Sequence, residues 1–471
     1  MLESDRPEDG LELVLRNELA HGLAVDDPQA AEQAGVARGA LRGSLGMDPL
    51  GSLARAEGPS EQTARAVHGL GAVWAEAAPL VTSLRASAPH MRALLVSTRP
   101  YADAGATSVH ELAWAMATGV EVLRGLERAG VSPEEAARSL QFALSVGGQF
   151  FPEIARLRAA RLLWSKIVAA SGGSPEAQSL ALHARTASGT KTRRDPWVNI
   201  LRATAESFAA VVGGADSVST APFDEVLGTP EQGARRLARN TQLILRDESS
   251  LNRVADPAGG SYYLEGLTQE LARAAWAELR RIEALGGMTQ ALATGDVRRV
   301  LAETRAARDK AVRTRRVPIV GVSEFPHLGE APVHRPARAG TPATRLAEPF
   351  EALRDASDRY LAAHGQRPRA FMANLGTVAE HTARATWIAN VLAVGGLEAQ
   401  EHHGFADVAE AAERFAASGA PLAVLSGPDA LYPEWVPALT QALKARGARV
   451  VAVAGRPGDH EAAFRAAGVD L

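Results

Sequence analysis

A proline-punctuated break about two-thirds of the way along the chain limits what it can fold into. From Pro318 to Pro349 the sequence is aperiodic and also carries Pro326, Pro332, Pro336 and Pro342. Proline fixes its own φ and has no backbone N–H, so this stretch reads as a linker between separately packed parts. On both sides short apolar runs alternate with Ala-, Leu- and Arg-rich stretches of helical period, the pattern of β/α units around parallel sheets. The expected class is α/β.

Before the break, strands are expected at 40–45, 91–97, 140–146, 180–186 and 216–220. Leu112, Met116, Val120 and Leu123 predict a helix over 109–128, with a capping box of Ser108 and Glu111 at its start and Gly130 at its end. Ser132 before Pro133 and Glu134 opens the next helix. Two more, over 232–248 and 268–285, flank a turn at Asp256, Pro257 and Gly259; Thr268 is the expected cap of the second, and Gly286 with Gly287 its stop. A charged helix then ends near Arg316. After the break, strands at 370–375, 421–425 and 449–453 alternate with helices at 382–394, 406–418, 435–446 and 459–467. That is a small doubly wound sheet, whose ligand would sit around Gly376 and Ser426.

Composition excludes several chemistries. The 471 residues contain no cysteine, which removes disulfides, thiolate metal sites and thiol nucleophiles. Lys+Arg of 51 against Asp+Glu of 54 gives a net charge of −3 without a like-charge run, so neither nucleic acid nor membrane is an expected partner. The acidic start, MLESDRPEDG, is neither signal peptide nor membrane span, and a cytoplasmic protein is expected. No lysine-bearing phosphate loop, nucleophile elbow or His-Glu-x-x-His occurs, and Gly69 with Gly71 forms only part of a dinucleotide fingerprint. His402 and His403 are a metal-ligand pair or exposed turn histidines, the latter expected; no metal is assigned. Arg156, Arg158 and Arg161 read as a phosphate clamp or, as expected, a solvated helix face. Arg193 and Arg194, before Asp195-Pro196, fit a clamp or a turn of paired charges equally.

The segment 236–288, RLARNTQLILRDESSLNRVADPAGGSYYLEGLTQELARAAWAELRRIEALGGM, resembles the signature block of the methylmalonyl-CoA mutase family. The similarity continues through FPEIARLRAARLLW (151–164), TRRDPWVNILRAT (192–204) and VPIVGVSEFP (317–326). The resemblance implies an adenosylcobalamin isomerase of CoA thioesters built from a β/α barrel, a linker and a flavodoxin-like cobalamin-binding-type domain. It divides this chain into a partial barrel over 1–316, a linker over 317–366 and a shortened cobalamin-type domain over 367–471.

Carried over residue by residue, it implies a lost active site. Where catalytic chains have Lys-x-Gly-x-Asp-Gly-His, with the histidine on cobalt, this chain has Asn374, Gly376, Val378, Ala379 and Glu380. A carboxylate cannot replace an imidazole, and Val378 cannot orient one; His381, one residue late, is the remaining candidate. Arg99 and Pro100 stand for a substrate-facing Tyr-His, and Gly46-Met47-Asp48 for a Gln-Asn-Asp. No catalytic, cofactor-binding or metal residue is therefore assigned to this chain.

HTARATWIANVLAVGG (381–396), TRRDPWVN and GVSEFPHLGE are similar to the non-catalytic small chain of two-chain family members. The resemblance thus implies a heterodimer in which the large chain binds adenosylcobalamin and the CoA thioester. A free-standing CoA-thioester or cobalamin binding module and a nonfunctional remnant are the alternatives. If 40–45 corresponds to the fourth barrel strand, three strands are missing before it, and GVDL falls short of the family's final strand and helix. Open sheet edges would then need a covering partner, for which the helices of 232–288 are candidates beside their role in internal packing.

Overall fold

The computed structural model describes residues 12–14 (backbone only), 37–55, 69–338 and 343–470. They form two compact units. The first takes the described residues of Met1–Thr192 with Pro196–Ala311 and Val333–Leu346; the second takes Arg193–Asp195, Val312–Pro332 and the described residues of Ala347–Leu471.

The first unit is an open six-stranded sheet in the order β1-β6-β5-β4-β3-β2. Its strands are β1 Glu12–Val14, β2 Gly43–Met47, β3 Met91–Ser97, β4 Leu140–Val146, β5 Leu182–Thr186 and β6 Ser217–Ser219. Strands β2 to β6 run parallel to their neighbours, and β1 adds antiparallel to β6 with Glu12 opposite Ser219. This is the half-barrel of a β/α barrel. Its central strands are apolar because helices cover them: Leu94, Val96, Phe142 and Leu144 are almost fully buried, with Trp114 and Trp164 packed above them. Each such side chain stabilises the fold by about 1.5–3 kcal/mol.

Sequence and structure agree on β3 and β4 to the residue. They differ on β2, which begins at Gly43 after a 3-10 turn at Arg38–Ala40 and carries an irregularity between Ser44 and Met47. The helix Ser108–Arg128 is capped by Thr107, whose hydroxyl accepts from the His110 N–H at 3.4 Å, and not by Ser108. Thr107 is extended and therefore free to turn its side chain onto the first turn, whereas Ser108 is already helical. Ser132 does cap the helix Pro133–Arg138. The helix Tyr262–Ala284 starts six residues before the expected Thr268: Ser261 is its cap and Thr268 lies buried inside it. It packs on Phe150–Ala170 and Ser108–Arg128 through Ala272, Ala275, Leu279 and Ile282, which favours internal packing for this amphipathic face. Gln232–Leu243 ends in a π turn at Ile244–Glu248, where Ser249 N–H reaches back to the Ile244 carbonyl.

The second unit has the strand order β10-β9-β7-β8, all parallel, with β7 Arg369–Asn374, β8 Glu398–Gln400, β9 Leu422–Ser426 and β10 Val450–Val453. Numbered within the unit this is 2-1-3-4, a flavodoxin-like order. Strand β8, Glu-Ala-Gln, has no apolar run, and no strand was expected there. The proline-rich stretch also packs: Ile319 and Val322 are buried in the second unit, while Thr229 N–H bonds the Pro336 carbonyl in the first. Glu348–His364, wholly inside the 317–366 segment expected as linker, is a helix that buries Phe350, Glu351 and Arg354.

Candidate functional site

In parallel α/β folds chemistry collects at the carboxyl ends of the strands. At the end of β2, Gly46 holds φ +70°, a conformation that suits glycine. Asp48 follows and accepts the Gly51 N–H at 2.8 Å, so it caps the helix Pro49–Arg55. Burial pushes its carboxyl up to about 6. At the end of β3, Thr98 is fully buried and its hydroxyl accepts the Ser145 N–H at 3.2 Å. Arg99 and Pro100 begin the short helix Arg99–Ala104, and the Arg99 guanidinium donates to Asp103 at 3.2 Å. Pro100 offers no proton and no N–H. The Arg99 guanidinium is thus engaged by its own helix, and Pro100 adds only an apolar ring.

Buried ion pairs that sequence reasoning missed fill the ends of β4 and β5. Arg156, wholly buried, donates to Glu111 at 3.0 Å, to Glu153 and to the Ser145 carbonyl. Burial drives Glu111 up to about 7 even though Arg156 pulls it down. Lys191 and Glu206, both without solvent exposure, pair at 2.5 Å, and burial raises Glu206 as well. Arg158 binds Asp256 and Glu265, while Arg161 donates to the Leu180 carbonyl and Asp216. The arginine stripe is therefore neither a phosphate clamp nor a solvated face; it ties the half-barrel's own elements together. The available signal was Glu153 three residues before Arg156, the spacing at which opposite charges meet on a helix.

In the second unit, Arg193 and Arg194 are a turn of paired charges. Arg193 bonds Glu351 and Asp355, and Arg194 reaches Asp355 and Asp358 at 2.5 and 2.6 Å. Asn374 ends β7, donating to the His402 carbonyl at 2.6 Å while its own amide oxygen stays buried without a partner. Gly376 then turns at φ +82°, and Thr377 caps the helix Val378–Val394. Val378 is half-exposed at that helix's first position.

Glu380 completes a capping box, accepting the Thr377 N–H at 2.8 Å and its hydroxyl at 2.7 Å. Those bonds hold its carboxyl below the usual range and engage one of its oxygens. The His381 ring is buried; its Nε2 faces the His403 carbonyl at 3.3 Å and its Nδ1 has no partner. His402 is not an exposed turn residue: its ring packs against Phe371 and Phe405, and burial lowers its pKa. Among the described residues no group of three or more His, Cys, Asp or Glu is placed to hold a metal ion.

The loops at this end also touch one another. A side chain at Gly404 would meet the Gly376 carbonyl at 2.9 Å, and one at Gly427 would meet Leu375 at 2.7 Å. Arg384 locks the second contact by donating to the Gly427 carbonyl at 2.6 Å and to Asp429. A corrinoid lower ligand needs a free imidazole with an oriented second nitrogen and room above it. Glu380, His381 and Val378 with these packed loops do not fit that group.

A family model for methylmalonyl-CoA mutase matches residues 20–390. The methylmalonyl-CoA mutase small subunit of Streptomyces virginiae is 47% identical over 430 residues, 90% of this chain and 68% of that protein. The probable methylmalonyl-CoA mutase small subunit of Mycobacterium tuberculosis is 42% identical over 383 residues, 80% of this chain and 61% of that one. The small subunit of Propionibacterium freudenreichii subsp. shermanii is 39% identical over 382 residues, 80% and 59% respectively. The chain thus spans 59 to 68% of the length of these relatives. No helix among the described residues is long and apolar enough to cross a membrane.

Proposed function

Because the chain belongs to the methylmalonyl-CoA mutase family, alongside relatives that carry the small-subunit name, we propose that it serves as the non-catalytic small subunit of an adenosylcobalamin-dependent mutase. In this reading a large partner chain binds the cofactor and the CoA thioester and interconverts methylmalonyl-CoA and succinyl-CoA. The present chain contributes fold and surface to a cytoplasmic heterodimer. A divergent copy of an enzyme that keeps its architecture but loses its chemistry retains the surface on which its homologue packs.

One observation carries the proposal. The side chain at the cobalt-ligand position, Glu380, is committed to the first turn of its own helix. The losses at Arg99 and Pro100 point the same way, since a guanidinium bonded to Asp103 and a proline supply neither acid nor electrophile.

Co-expression with the large chain of a two-chain mutase tests this. The complex is expected to elute as one species holding one cobalt per pair, with isomerase activity, while the isolated chain carries neither cobalt nor activity. Turnover by the isolated chain, or a cobalt-to-protein ratio near one in it, would overturn the assignment. Failure to associate with any large chain would favour a free-standing binding module.

A further inference from the structure

The helix Asp296–Arg313, in the first unit as far as Ala311, is tied to the segment after β3 by Thr304, whose hydroxyl donates to the Gly105 carbonyl at 3.1 Å. Beside that tie, past the ends of β2 and β3, opens a cleft of about 590 Å³. Its apolar surface comes from Leu53, Tyr101, Leu292, Val297 and Leu301. Three arginines, Arg55, Arg298 and Arg305, face one carboxylate, Asp309, so the lining carries two more positive than negative groups. Arg305 stands 3.7 Å from Asp309, and Arg55 stands 4.0 Å from Asp48 with half its side chain in solvent. Tyr101 is 1% exposed, with its hydroxyl beside that of Thr118.

Those features together describe a ligand. The volume falls in the range of small-molecule sites, roughly 300–1,000 Å³. An apolar floor stabilises a hydrocarbon body, while arginines arriving from two separate helices favour an anionic head, which their planar N–H forks bind well. We propose that this cleft binds a small amphipathic anion, its apolar body on the Leu292, Val297 and Leu301 floor and its head group at Arg55 and Arg305. The site stands apart from the subunit reading and needs no partner chain.

The test uses the full chain and 11-(dansylamino)undecanoate as a fluorescent probe, with octanoate and octanol as competitors. Expected are saturable one-to-one binding and displacement by octanoate at a concentration at least about tenfold below that needed with octanol. Ala302 is an exposed residue of the lining, so Ala302→Trp grows into the cleft without entering the core; it should abolish probe binding while the circular dichroism spectrum is retained. The charge variant Arg55→Gln/Arg305→Gln, which leaves the floor intact, should weaken binding by about tenfold and erase the preference for octanoate. Absence of saturable binding at millimolar probe, equal competition by octanol, or wild-type binding in a folded Ala302→Trp chain would each overturn the proposal.

Discussion

Replacing Arg156 by methionine probes the charge arrangement beneath the half-barrel's carboxyl end. Methionine keeps much of the volume but removes the cation that serves Glu111, Glu153 and the Ser145 carbonyl. The two carboxylates, 8% and 7% exposed, would then face each other without a counter-ion. Breaking a buried pair from one side costs about 3–5 kcal/mol. The loss should depend on pH. In the intact protein, burial raises Glu111 from 4.5 to about 7, so the folded state holds its proton more tightly than the unfolded chain. That contribution is complete below about pH 4.5 and is lost as pH rises through 7; the interval corresponds to roughly 3 kcal/mol. Without Arg156 the Glu111 carboxyl rises further, and the range over which stability is lost extends upward.

Urea unfolding followed by tryptophan fluorescence reads this out, since Trp114 and Trp164 are buried in the same core. At pH 8 Arg156→Met should lose about 3–5 kcal/mol, and at pH 5, where Glu111 takes up its proton, clearly less. Adding Glu111→Gln and Glu153→Met should recover most of the pH 8 loss, because the uncompensated charges are gone. An equal loss at the two pH values, or one below about 1 kcal/mol at pH 8, would refute the reasoning.

Lys191→Met should destabilise the first unit by about 3–5 kcal/mol in the same unfolding assay, because it strands the fully buried Glu206; addition of Glu206→Gln should restore part of it. Gly119→Ala places a methyl 2.6 Å from the Trp164 ring and 2.9 Å from Phe142, so thermal unfolding should show about 1–3 kcal/mol of overpacking, and an unchanged midpoint would mean the core is looser than described. Glu380→His should leave the absorption spectrum of added adenosylcobalamin unchanged, since Val378 supplies no orienting carboxylate; a histidine-ligated, base-off spectrum would contradict the reading of this loop.

Which parts were readable follows from how the chain spends its apolar residues. Strands β3 and β4 are bounded apolar runs buried on both faces, and their limits fell where the runs end. Strands β2 and β8 lack that signal: the first carries two glycines and an irregular register, the second is three residues of mixed polarity. Thr107 and Ser108 are adjacent hydroxyl residues, and only backbone conformation decides which one caps. Arg156 was misread because a periodicity argument assigns charge to the wet face, whereas Phe150–Ala170 is buried on most sides and must carry its charges inside as pairs.

The loop after β7 carried a local signal that the sequence reading did not use. Thr377-Val378-Ala379-Glu380 is a capping box in sequence, S/T-x-x-E before a helical run, and the structure uses it as one. Glu380, at the position the family resemblance gives to the cobalt-binding histidine, closes the loop into a helical turn, so on the proposed reading one residue both removes the imidazole and stabilises the turn. The same turn decides the fate of His381. Successive residues on a helix are rotated by about 100°, so a one-residue shift moves the ring to a different face and is not absorbed as it would be in an irregular loop. His381 consequently points inward to the His403 carbonyl, with Gly404 pressed against the Gly376 carbonyl beside it. Restoring a cobalt ligand here would require unwinding the first turn of Val378–Val394, moving the loop after β8 and supplying a carboxylate at position 378; no single substitution does all three.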